Sequence, residues 1–572
     1  MQNFEIARAF EELADLLELK GEDFFKIRAY RKAARVIAGL NEPVERLHES
    51  GSLAVVPGIG KNILAKVGEM IATGKMRKLE ELRQEFPPGL LEIMDLPGIG
   101  PKRAGLLYRH LGVTTLGELE KEAHAKRVRE LPGFGVKREQ DIIRSIEMLR
   151  HRPGKVLLAT ARELAGELRE FLGSIPGVGR VDLTGSARRW RETVRDIDLL
   201  AMTGDAGGLF QAFTAHPRVK EVLSREDDRV KVLTWWGVVV ELLAAKEEEY
   251  WPALLWSTGS RAHYRRLQEL AREKGFFLTR NGIRDERGRF LPVFSEEDIY
   301  NCLGLPLIPP ELRENLGEVE FCLREGRLPE VVNLSDVKGD LHVHTNWSDG
   351  INTLEQVVAY AREKGYEYIA ITDHSRSLRI ARGLSLERLK EQRRAIERIN
   401  EKSSSFRVLT GIEVDILPQG GLDCPDEVLA QLDVVIASVH TSFRQDRQTM
   451  TERILSAVRN KHVHVIGHLT GRLLGQREPY QLDLERILEE AREHGKCLEI
   501  NASPDRLDLN EEHARLAKEF GLKMVISTDA HDLRRMDEMS YGVAVARRAW
   551  LGPEEVVNTR GAGEVLKIFD GG

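Results

Sequence analysis

Apolar residues recur every three or four positions through most of the first 150 residues. The first 20 residues, MQNFEIARAFEELADLLELK, place their apolar side chains on one face of a helix, and residues 23–40 and 62–82 repeat that spacing. Short breaks rich in glycine and proline separate these segments. The pattern therefore predicts an all-helical N-terminal region.

The pattern changes twice further along the chain. Between residues 151 and 320, short apolar runs that suit strands mix with helix-period segments, which predicts an α+β region. From Gly339 onward, seven apolar runs are separated by segments of helix length. Strands in series with helices between them predict a βα barrel. The seven runs and their polar endings are DLHVHT, IAITDH, LTGIEVD, VIASVH, VIGHL, CLEIN and MVISTDAH.

Composition and charge narrow the class of protein. The chain has 572 residues, of which 42% are hydrophobic and 31% charged, and this suits several globular domains. No long apolar run indicates a membrane span and no cationic, cleavable leader begins the chain, so we expect a cytoplasmic protein without membrane contact. The four cysteines lack the paired spacing of a zinc site. The net charge of −6 does not indicate a nucleic-acid partner, so DNA binding has to be argued from local sites.

Three related hairpin sequences interrupt the N-terminal helices: VPGIGK at residues 56–61, LPGIGP at residues 96–101 and LPGFGV at residues 131–136. A tight Gly-x-Gly turn before a helix presents backbone N–H groups to an anion, and DNA phosphates suit such a site without base readout. One copy is equally consistent with a plain helix connection, but three copies with nearby lysines favour DNA. The residues expected to contact DNA here are Gly58, Gly60, Lys61, Gly98, Gly100, Lys102, Gly133 and Gly135.

Residues 184–201, TGSARRWRETVRDIDLLA, carry the candidate chemistry of the middle region. Asp196 and Asp198 stand two positions apart in an apolar run, so on a strand both carboxylates leave the same face and can bind the same metal ions. A Gly-Ser turn and two arginines at residues 185–189 precede them and can bind phosphate oxygens. Metal ligands and phosphate contacts together indicate phosphoryl transfer.

This stretch resembles the nucleotidyltransferase signature of family X DNA polymerases, and the resemblance extends to about residue 320. It implies a third catalytic carboxylate at Glu241, at the end of the strand run VVVE, and a nucleotide-binding subdomain whose helix opens at STGSRAHY, residues 257–264. The family has aspartate at position 241 and glycine at position 195, where this chain has Glu241 and Arg195. The nucleotide contacts that the resemblance implies are Gly185, Ser186, Arg189, Thr258, Gly259 and Ser260.

Two of the N-terminal helical segments resemble the small lyase-type domain of the same family, which binds the 5′ side of a DNA gap. The 5′-phosphate contacts that this resemblance implies are Lys26, Tyr30 and Lys32. Lys66 matches the family lysine that attacks an abasic sugar as a Schiff-base nucleophile, whereas another family lysine is replaced by Asn62. A solvated helix lysine is an equally good interpretation of Lys66.

Ten of the 16 histidines lie between residues 337 and 572, and many of them end an apolar run. In a βα barrel the carboxyl ends of the strands meet at one mouth, so these side chains should converge. His342 and His344 can bind one metal from one strand face, and Asp529 with His531 repeats that spacing. A lone buried histidine is usually structural, but a set of this size predicts a metal site with several ions.

The segment from Lys338 to about Trp550 resembles a PHP (polymerase and histidinol phosphatase) domain. Carried over by position, the first metal would be held by His342, His344, Glu413 and Asp529, the second by Glu413, His440 and His468, and the third by Asp349, His374 and His531. Clustered divalent ions promote phosphoester hydrolysis. In bacterial family X enzymes this domain is associated with 3′–5′ exonuclease activity and with cleavage at abasic sites.

The chain is thus identified as a member of the bacterial family X DNA polymerases with a C-terminal PHP domain. The expected fold is multidomain, α+β and α/β: a helical helix-hairpin-helix region, a nucleotidyltransferase palm and a C-terminal (β/α)7 PHP barrel. The expected domains are residues 1–84 (lyase-like), 85–150 (DNA-binding fingers region), 151–250 (palm), 251–320 (nucleotide-binding subdomain), 321–336 (linker) and 337–572 (PHP).

The expected function is short-gap filling in base excision repair, by a monomer that acts on gapped or nicked DNA with deoxynucleoside triphosphates. We expect Mg²⁺ or Mn²⁺ at the polymerase site and three divalent ions, Mn²⁺ or Zn²⁺, at the PHP site. Arg195 and Glu241 leave open a repair nuclease whose polymerase half has decayed and only binds gapped DNA. A small-molecule phosphatase would have no use for the three hairpins, and nine intact ligands argue against a non-enzymatic scaffold.

Overall fold

The computed structural model describes residues 3–20, 22–38, 44–49, 51–56, 58–73, 75–87, 89–94, 96, 99–150, 155–403 and 405–570. The chain folds as two compact units. The first comprises residues 1–152 with the short segments 217–221 and 233–238, and the second comprises residues 153–216, 222–232 and 239–572. Among the helices of the described segments, none is both long and apolar enough to cross a membrane.

The N-terminal unit is helical, as the apolar period predicts. Its helices are α1 (Asn3–Lys20), α2 (Phe24–Ala38), α3 (Val44–Glu49), α4 (Lys61–Thr73), α5 (Arg77–Glu85), α6 (Gly89–Met94), α7 (Pro101–Leu111), α8 (Leu116–His124) and α9 (Val136–Arg150). The apolar faces pack into one core, in which Phe10, Leu13 and Leu17 of α1 are fully buried. Thr115 caps α8 by accepting from Glu118 N–H at 3.2 Å, so the end of the preceding turn is fixed.

The palm region is a five-stranded sheet with helices. Its elements are β1 (Val156–Leu157), α10 (Leu158–Gly173), β2 (Val178–Leu183), α11 (Gly185–Arg188), β3 (Thr193–Val194), β4 (Asp196–Thr203), α12 (Ala206–Thr214), β5 (Val219–Arg225), β6 (Arg229–Thr234) and β7 (Val239–Ala245). The strand order is β2-β4-β7-β6-β5. β4 runs antiparallel to β2 and parallel to β7, so the predicted metal strand lies inside the sheet.

A smaller subdomain follows the palm. Its elements are α13 (Tyr250–Thr258), α14 (Arg261–Glu273), β8 (Phe276–Thr279), β9 (Gly282–Asp285), α15 (Glu296–Cys302) and α16 (Glu318–Glu325). Its core contains a fully buried chain of hydrogen bonds, in which His263 contacts Glu318 at 2.6 Å and the Tyr300 hydroxyl at 2.8 Å. Because buried polar groups need partners, this chain fixes the packing of α14, α15 and α16.

The C-terminal half is the predicted seven-stranded barrel. Its elements are β10 (Gly339–Asp340), α17 (Leu354–Glu363), β11 (Tyr368–Ile371), α18 (Leu386–Asn400), β12 (Arg407–Asp415), α19 (Asp426–Leu429), β13 (Val434–Ser438), α20 (Arg447–Val458), β14 (Val465–Ile466), α21 (Leu484–Glu493), β15 (Cys497–Asn501), α22 (Glu511–Glu519), β16 (Met524–Ser527), α23 (Met539–Arg548) and α24 (Ala562–Asp570). The strands pair in sequence order and all in parallel.

The barrel is nearly closed between its first and last strands. Val343, just beyond β10, forms a parallel bridge with Ala530, just beyond β16. The interior is apolar, and side chains such as Leu409 and Ile436 are fully buried there. Val565 and Phe569 of α24 belong to the same apolar cluster, so this helix packs against the barrel core. The polar residues at the carboxyl ends of the strands lie beyond this apolar core and can form a site.

Candidate active sites

The three predicted polymerase carboxylates lie side by side on two neighbouring strands. β4 begins at Asp196, and its register with β7 places Asp198 beside Glu241. Ile197 between the aspartates is fully buried, so the strand alternation directs both carboxylates to the other face. Our prediction that the second strand ends at Glu241 was wrong, because β7 continues to Ala245. The run VVVE is only the first part of a longer apolar strand.

Two cations of β6 hold Glu241. Lys231 Nζ lies 2.8 Å from Glu241 Oε2, and Arg229 Nη1 lies 3.4 Å from Glu241 Oε1. Burial and the charges of Asp196 and Glu241 raise the pKa of Asp198 to about 7. A divalent cation would relieve the repulsion among these carboxylates. Sequence reasoning missed both cations because only the pairing of β6 with β7 brings them to the site.

The Gly-Ser turn packs directly against this carboxylate group. Gly185 has a φ of +61°, and a Cβ at this position would lie 1.9 Å from Asp198 Oδ2. Thr184 N–H donates to the Asp198 carbonyl at 2.8 Å, which ties the turn to β4. Ser186 follows on α11 and is half-buried. Glycine is therefore required here for its backbone conformation and for the close approach.

The two arginines after the turn have different partners. Arg188 contacts Glu296 at 2.5 Å and donates to Thr258 Oγ1 at 2.6 Å, so it connects α11 to buried groups of the next subdomain. Arg189 donates from Nε to Glu314 Oε1 at 3.0 Å and from Nη1 to the Thr258 carbonyl at 2.5 Å. The Arg189 guanidinium consequently lies beside the turn that follows α13.

That turn joins α13 to α14 and contains the other predicted nucleotide contacts. Gly259 has a φ of +65°, and the Gly259–Ser260 peptide bond is cis. Ser260 Oγ accepts from His263 N–H at 3.2 Å as the N-cap of α14. Thr258 is fully buried, so its side chain faces protein. Arg195, where the family has glycine, has an exposed side chain at the start of β4.

The three Gly-x-Gly hairpins share one backbone hydrogen bond. In each, the apolar residue between the glycines is buried and donates its N–H to a carbonyl three residues earlier. These bonds run from Ile59 to Val56 at 3.1 Å, from Ile99 to Leu96 at 3.0 Å and from Phe134 to Leu131 at 3.1 Å. The helices α4, α7 and α9 begin immediately after the second glycine. Gly98 lies outside the described residues, whereas Gly58, Gly60, Gly100, Gly133 and Gly135 lie in these turns.

The predicted DNA lysines have different surroundings. Lys61 and Lys102 are exposed at the starts of α4 and α7. Lys32 lies beside the first hairpin, since its Cε is 3.1 Å from the position that a Cβ of Gly58 would take. Lys66 is half-buried on α4.

The other two predicted 5′-phosphate contacts also differ in exposure. Lys26 is exposed and forms an ion pair with Glu22 at 3.2 Å. The Tyr30 ring is buried against Phe10, with ring centroids 6.0 Å apart. Of the two, the structure leaves Lys26 more accessible to a phosphate.

All nine predicted metal ligands of the barrel meet in one cluster, with Glu413 at its centre. The Glu413 carboxylate lies 2.8 Å from His374 Nδ1, 3.1 Å from His468 Nε2, 3.2 Å from His440 Nε2, 3.5 Å from His342 Nε2 and 3.6 Å from His344 Nε2. Asp529 lies 3.1 Å from His344 Nε2. Asp349 lies 3.4 Å from His531 Nε2. Side chains from six strand ends and one loop are thus brought together.

The ligand atoms form three groups that fit metal ions, each with its atoms within 4.8 Å of one another. The groups are His344, Asp349, His374 and His531; His342, His344 and Asp529; and His374, Glu413 and His440. These groups differ from the predicted positions: His344 and His374 each belong to two groups, Glu413 belongs to one group instead of two, and His468 belongs to none of the three. The backbone is unusual at two ligands, since φ is +53° at Asp529 and +24° at His468. Such conformations concentrate at functional sites.

A buried carboxylate that sequence reasoning did not assign supports two ligands. Glu499 Oε1 accepts from His342 Nδ1 and from Ser527 Oγ, both at 2.6 Å. Glu499 Oε2 accepts from the His468 backbone N–H at 2.6 Å. A hydrogen bond of this kind fixes the tautomer and orientation of a metal-binding imidazole. The signal was present in the sequence, because Glu499 lies near the end of the run CLEIN.

Two further groups hold the other side of the cluster. Asp415 Oδ1 lies 3.3 Å from His440 Nδ1, and Asn501 Nδ2 donates to Asp529 Oδ2 at 3.1 Å. Asp415 stands two residues after Glu413 on β12, so its side chain leaves the same face of the strand. The two-residue spacing of Glu413 and Asp415 could also have been recognised in the sequence.

Burial and mutual charge put three of the ligands, His344, Asp349 and Glu413, in their metal-binding forms, whereas neighbouring carboxylates raise the pKa of His342, His440 and His531 despite their burial. Burial and two neighbouring histidines, His531 and His374, lower the pKa of His344 to about 3. Burial opposes ionisation of Asp349, but the hydrogen bond from His531 and nearby imidazoles lower its pKa to about 2. The surrounding imidazoles likewise hold the pKa of Glu413 well below its usual range, despite its burial. Neutral imidazole and ionised carboxylate are the forms that bind metals.

Four protein-family models match parts of the chain. A helix-hairpin-helix domain model matches residues 1–76, and a SAM-like helix-hairpin-helix tandem model matches residues 90–148. The DNA polymerase beta thumb model matches residues 253–314. The PHP domain model matches residues 340–503, a range that starts just before His342, the first predicted metal ligand.

Individual relatives cover either the whole chain or one of its halves. The DNA polymerase/3′-5′ exonuclease PolX of Bacillus subtilis (strain 168) is 38% identical over 568 residues, 99% of each chain. DNA polymerase lambda of Rattus norvegicus is 25% identical over 347 residues, 54% of this chain and 56% of that protein. A probable phosphatase of Thermoanaerobacter sp. (strain X514) is 32% identical over 235 residues, 38% of this chain and 89% of that protein.

Fold and sites together define a class of protein that joins helix-hairpin-helix modules and a polymerase-type catalytic region to a PHP barrel. A match over nearly the whole length of both chains then gives the family. The chain belongs to the bacterial PolX family, the family X DNA polymerases with a C-terminal PHP domain.

Proposed function

We propose that this chain is a DNA polymerase that fills short gaps in base excision repair and carries a 3′–5′ exonuclease in its barrel. The observation that carries the proposal is the presence of two separate clusters of metal-ligand side chains in one chain. One is the carboxylate row of β4 and β7, and the other is the histidine and carboxylate cluster around Glu413 in the barrel. Gapped or nicked DNA and deoxynucleoside triphosphates are the proposed partners of a monomeric, cytoplasmic enzyme with the domain boundaries predicted above.

The barrel cluster fits divalent metals. Several of its ligand atoms are buried in the described structure and have no hydrogen-bond partner, an arrangement that is costly unless a metal ion binds them. These atoms are His342 Nε2, His344 Nδ1 and Nε2, His374 Nδ1, His468 Nδ1 and Glu413 Oε2. Histidine with carboxylate suits Mn²⁺ or Zn²⁺, and we propose three such ions, held in the division predicted from the sequence.

In the exonuclease reaction, divalent ions polarise the phosphodiester and activate water when they are bound. The protein supplies the ligands and holds them in place through hydrogen bonds to groups behind them. Glu499 orients His342, and Asp415 lies behind His440. The same centre is proposed to cleave DNA at abasic sites.

In the polymerase reaction, Asp196, Asp198 and Glu241 are the proposed ligands of Mg²⁺ or Mn²⁺. A metal pair supplies charge stabilisation for in-line phosphoryl transfer when it is bound. The chain contributes the Gly185–Ser186 turn and Arg189 as contacts for the triphosphate, and the Gly259–Ser260 turn as a contact for the incoming sugar. These groups hold the nucleotide in place, and correct positioning of the reacting groups is the main requirement of phosphoryl transfer.

The N-terminal unit is proposed to hold DNA through its three hairpins. Backbone N–H groups at the starts of α4, α7 and α9 would contact phosphates, with Lys61 and Lys102 adding charge. Lys26, Tyr30 and Lys32 are the proposed contacts with the 5′-phosphate of a gap. Lys66 is the proposed lyase nucleophile, and reductive trapping of an abasic DNA by borohydride, lost in Lys66→Ala, is its test.

The second candidate function is a repair nuclease whose polymerase half only binds gapped DNA. Lys231 and Arg229 favour it, because they already neutralise Glu241, and so does Arg195 at the position of the family glycine. Glutamate extends the carboxylate by about one C–C bond, and a misplacement of about 1 Å can cost about a hundredfold in rate.

Single-nucleotide insertion on a gapped duplex, with magnesium or manganese, separates the two functions. We expect weak but measurable insertion by the wild type, its loss in Asp198→Ala, and faster insertion when Glu241→Asp is combined with Arg195→Gly. A wild type that inserts nothing in either metal, with activity restored by the double change, would establish the decayed polymerase. An active wild type that the double change slows would show that the palm has adapted to both residues.

A further inference from the structure

An arginine of the barrel half reaches the polymerase half and contacts a predicted nucleotide-binding residue. Arg548 is the last residue of α23 and only 3% exposed. Its Nη1 donates to the backbone carbonyl of Arg189 at 2.6 Å. Its Nη2 lies 3.1 Å from Glu314 Oε1, the same oxygen that accepts from Arg189 Nε at 3.0 Å. Arg548 thus holds both the backbone of Arg189 and the carboxylate that orients its side chain.

Arg548 is itself fixed from the barrel side. Glu511 Oε1 lies 3.0 Å from Arg548 Nη2 and also pairs with Arg191 of the palm at 2.6 Å. The guanidinium therefore lies between two carboxylates, one from each half of the second unit. A buried arginine in such a position is rigid, because any movement would leave a charge unpaired.

Other contacts join the two halves without Arg548. Arg472 pairs with Glu192 at 2.6 Å, and the rings of Trp190 and Tyr541 meet edge to face with centroids 5.5 Å apart. The neighbouring Arg547 also reaches the segment after α15, where it lies 3.2 Å from Glu311. A residue needed only for docking the barrel would not have to contact both the Arg189 carbonyl and the carboxylate that accepts from the Arg189 side chain.

We propose that Arg548 is a positioning residue of the polymerase site, supplied by the nuclease half. It holds the Arg189 guanidinium beside the Thr258–Gly259 turn, in a fixed position from which Arg189 would contact the triphosphate of an incoming nucleotide. The inference rests on the proposed function, in which Arg189 contacts that triphosphate. Without Arg548 the Arg189 side chain would be more mobile, and each incoming nucleotide would have to order it on binding. This entropic cost should appear as weaker nucleotide binding.

The test is the nucleotide dependence of single-nucleotide insertion by the full-length protein on a gapped duplex. Arg548→Gln should raise the KM for the nucleotide about tenfold, the size of one charge-assisted contact, while kcat changes by less than about threefold. Arg548→Lys keeps the charge but lacks the planar guanidinium that can donate to two acceptors at once, so we expect the KM for the nucleotide to rise about threefold. Arg547→Gln is the matched control, since it loses a contact with Glu311 but none with Arg189, and it should leave KM unchanged. Exonuclease activity should be unchanged in all three variants.

Three results would overturn the inference while leaving the proposed function intact. The first is an active wild type whose KM is unchanged or lowered by Arg548→Gln. The second is an equal rise of KM in Arg547→Gln. The third is a parallel loss of insertion and exonuclease activity in Arg548→Gln and Arg548→Lys, since Arg548 would then only hold the two halves together. A wild type without insertion would instead overturn the proposed polymerase function and this inference with it.

Discussion

Glu499→Gln should weaken metal binding in the barrel without removing any direct ligand. The wild-type carboxylate accepts three hydrogen bonds of 2.6 Å, from His342 Nδ1, Ser527 Oγ and the His468 N–H. Glutamine offers one oxygen and one NH₂ group in their place, so at least one of those donors would face another donor. Either the His342 ring would then lose the partner that fixes its orientation, or the backbone N–H of His468 would lose its acceptor.

The expected magnitude follows from the position of Glu499 behind two ligands. Loss of one such partner typically costs about 10- to 100-fold in metal affinity or activity. Glu499 is fully buried and supports two of the nine ligands, so we expect the upper part of that range. This corresponds to about 2–3 kcal/mol of metal-binding free energy.

The assay is metal content after gel filtration together with exonuclease rate on a 3′-labelled strand, with nucleotide insertion measured on the same preparation. Insertion should remain within about twofold of the wild type, because the palm site shares no ligand with the barrel. Glu493→Gln, at the exposed end of α21, is the matched control and should change nothing. Wild-type metal content and exonuclease rate in Glu499→Gln would refute the role of this carboxylate, and a joint loss of both activities would indicate misfolding instead.

Three further predictions concern the polymerase half and the hairpins. Gly185→Ala should abolish insertion, because its Cβ would lie 1.9 Å from Asp198 Oδ2, and a variant with wild-type rate would show that the turn can move away. The pKa of Asp198 is raised to about 7, so below that pH metal binding must displace a proton. The apparent Mg²⁺ affinity for insertion should therefore fall by up to about tenfold per pH unit below 7. A flat affinity profile between pH 6 and 8 would contradict this. Binding to gapped duplexes of unrelated sequence should agree within a few fold and weaken steeply with salt, as fluorescence anisotropy can measure, and a strong preference for one sequence would exclude backbone-only contacts.

The barrel and its metal ligands were predictable because their signals are local. Each strand is a short apolar run, and every predicted ligand except Asp349, which lies on a loop, stands near or just beyond the end of its run, so the closure of the barrel brings them together. Asp196 and Asp198 were readable for the same reason, since two residues on one strand share a face. The family resemblance added the division of the ligands among metal positions.

The partners of these residues were not predictable, because they come from distant parts of the chain. Lys231 reaches Glu241 only through the pairing of β6 with β7. Arg548 contacts Arg189 across 359 positions of sequence, and no local period indicates such a pair. The extent of β7 beyond Glu241 was missed because a polar residue inside an apolar run resembles a strand end.

The central claim is that one chain carries two independent catalytic centres. The most direct test is to measure nucleotide insertion and 3′–5′ exonuclease activity side by side in wild type, Asp198→Ala and His344→Ala. The account predicts that Asp198→Ala loses insertion and keeps exonuclease activity, whereas His344→Ala loses exonuclease activity and keeps insertion. Loss of both activities in either variant, with circular dichroism and melting temperature unchanged, would contradict it.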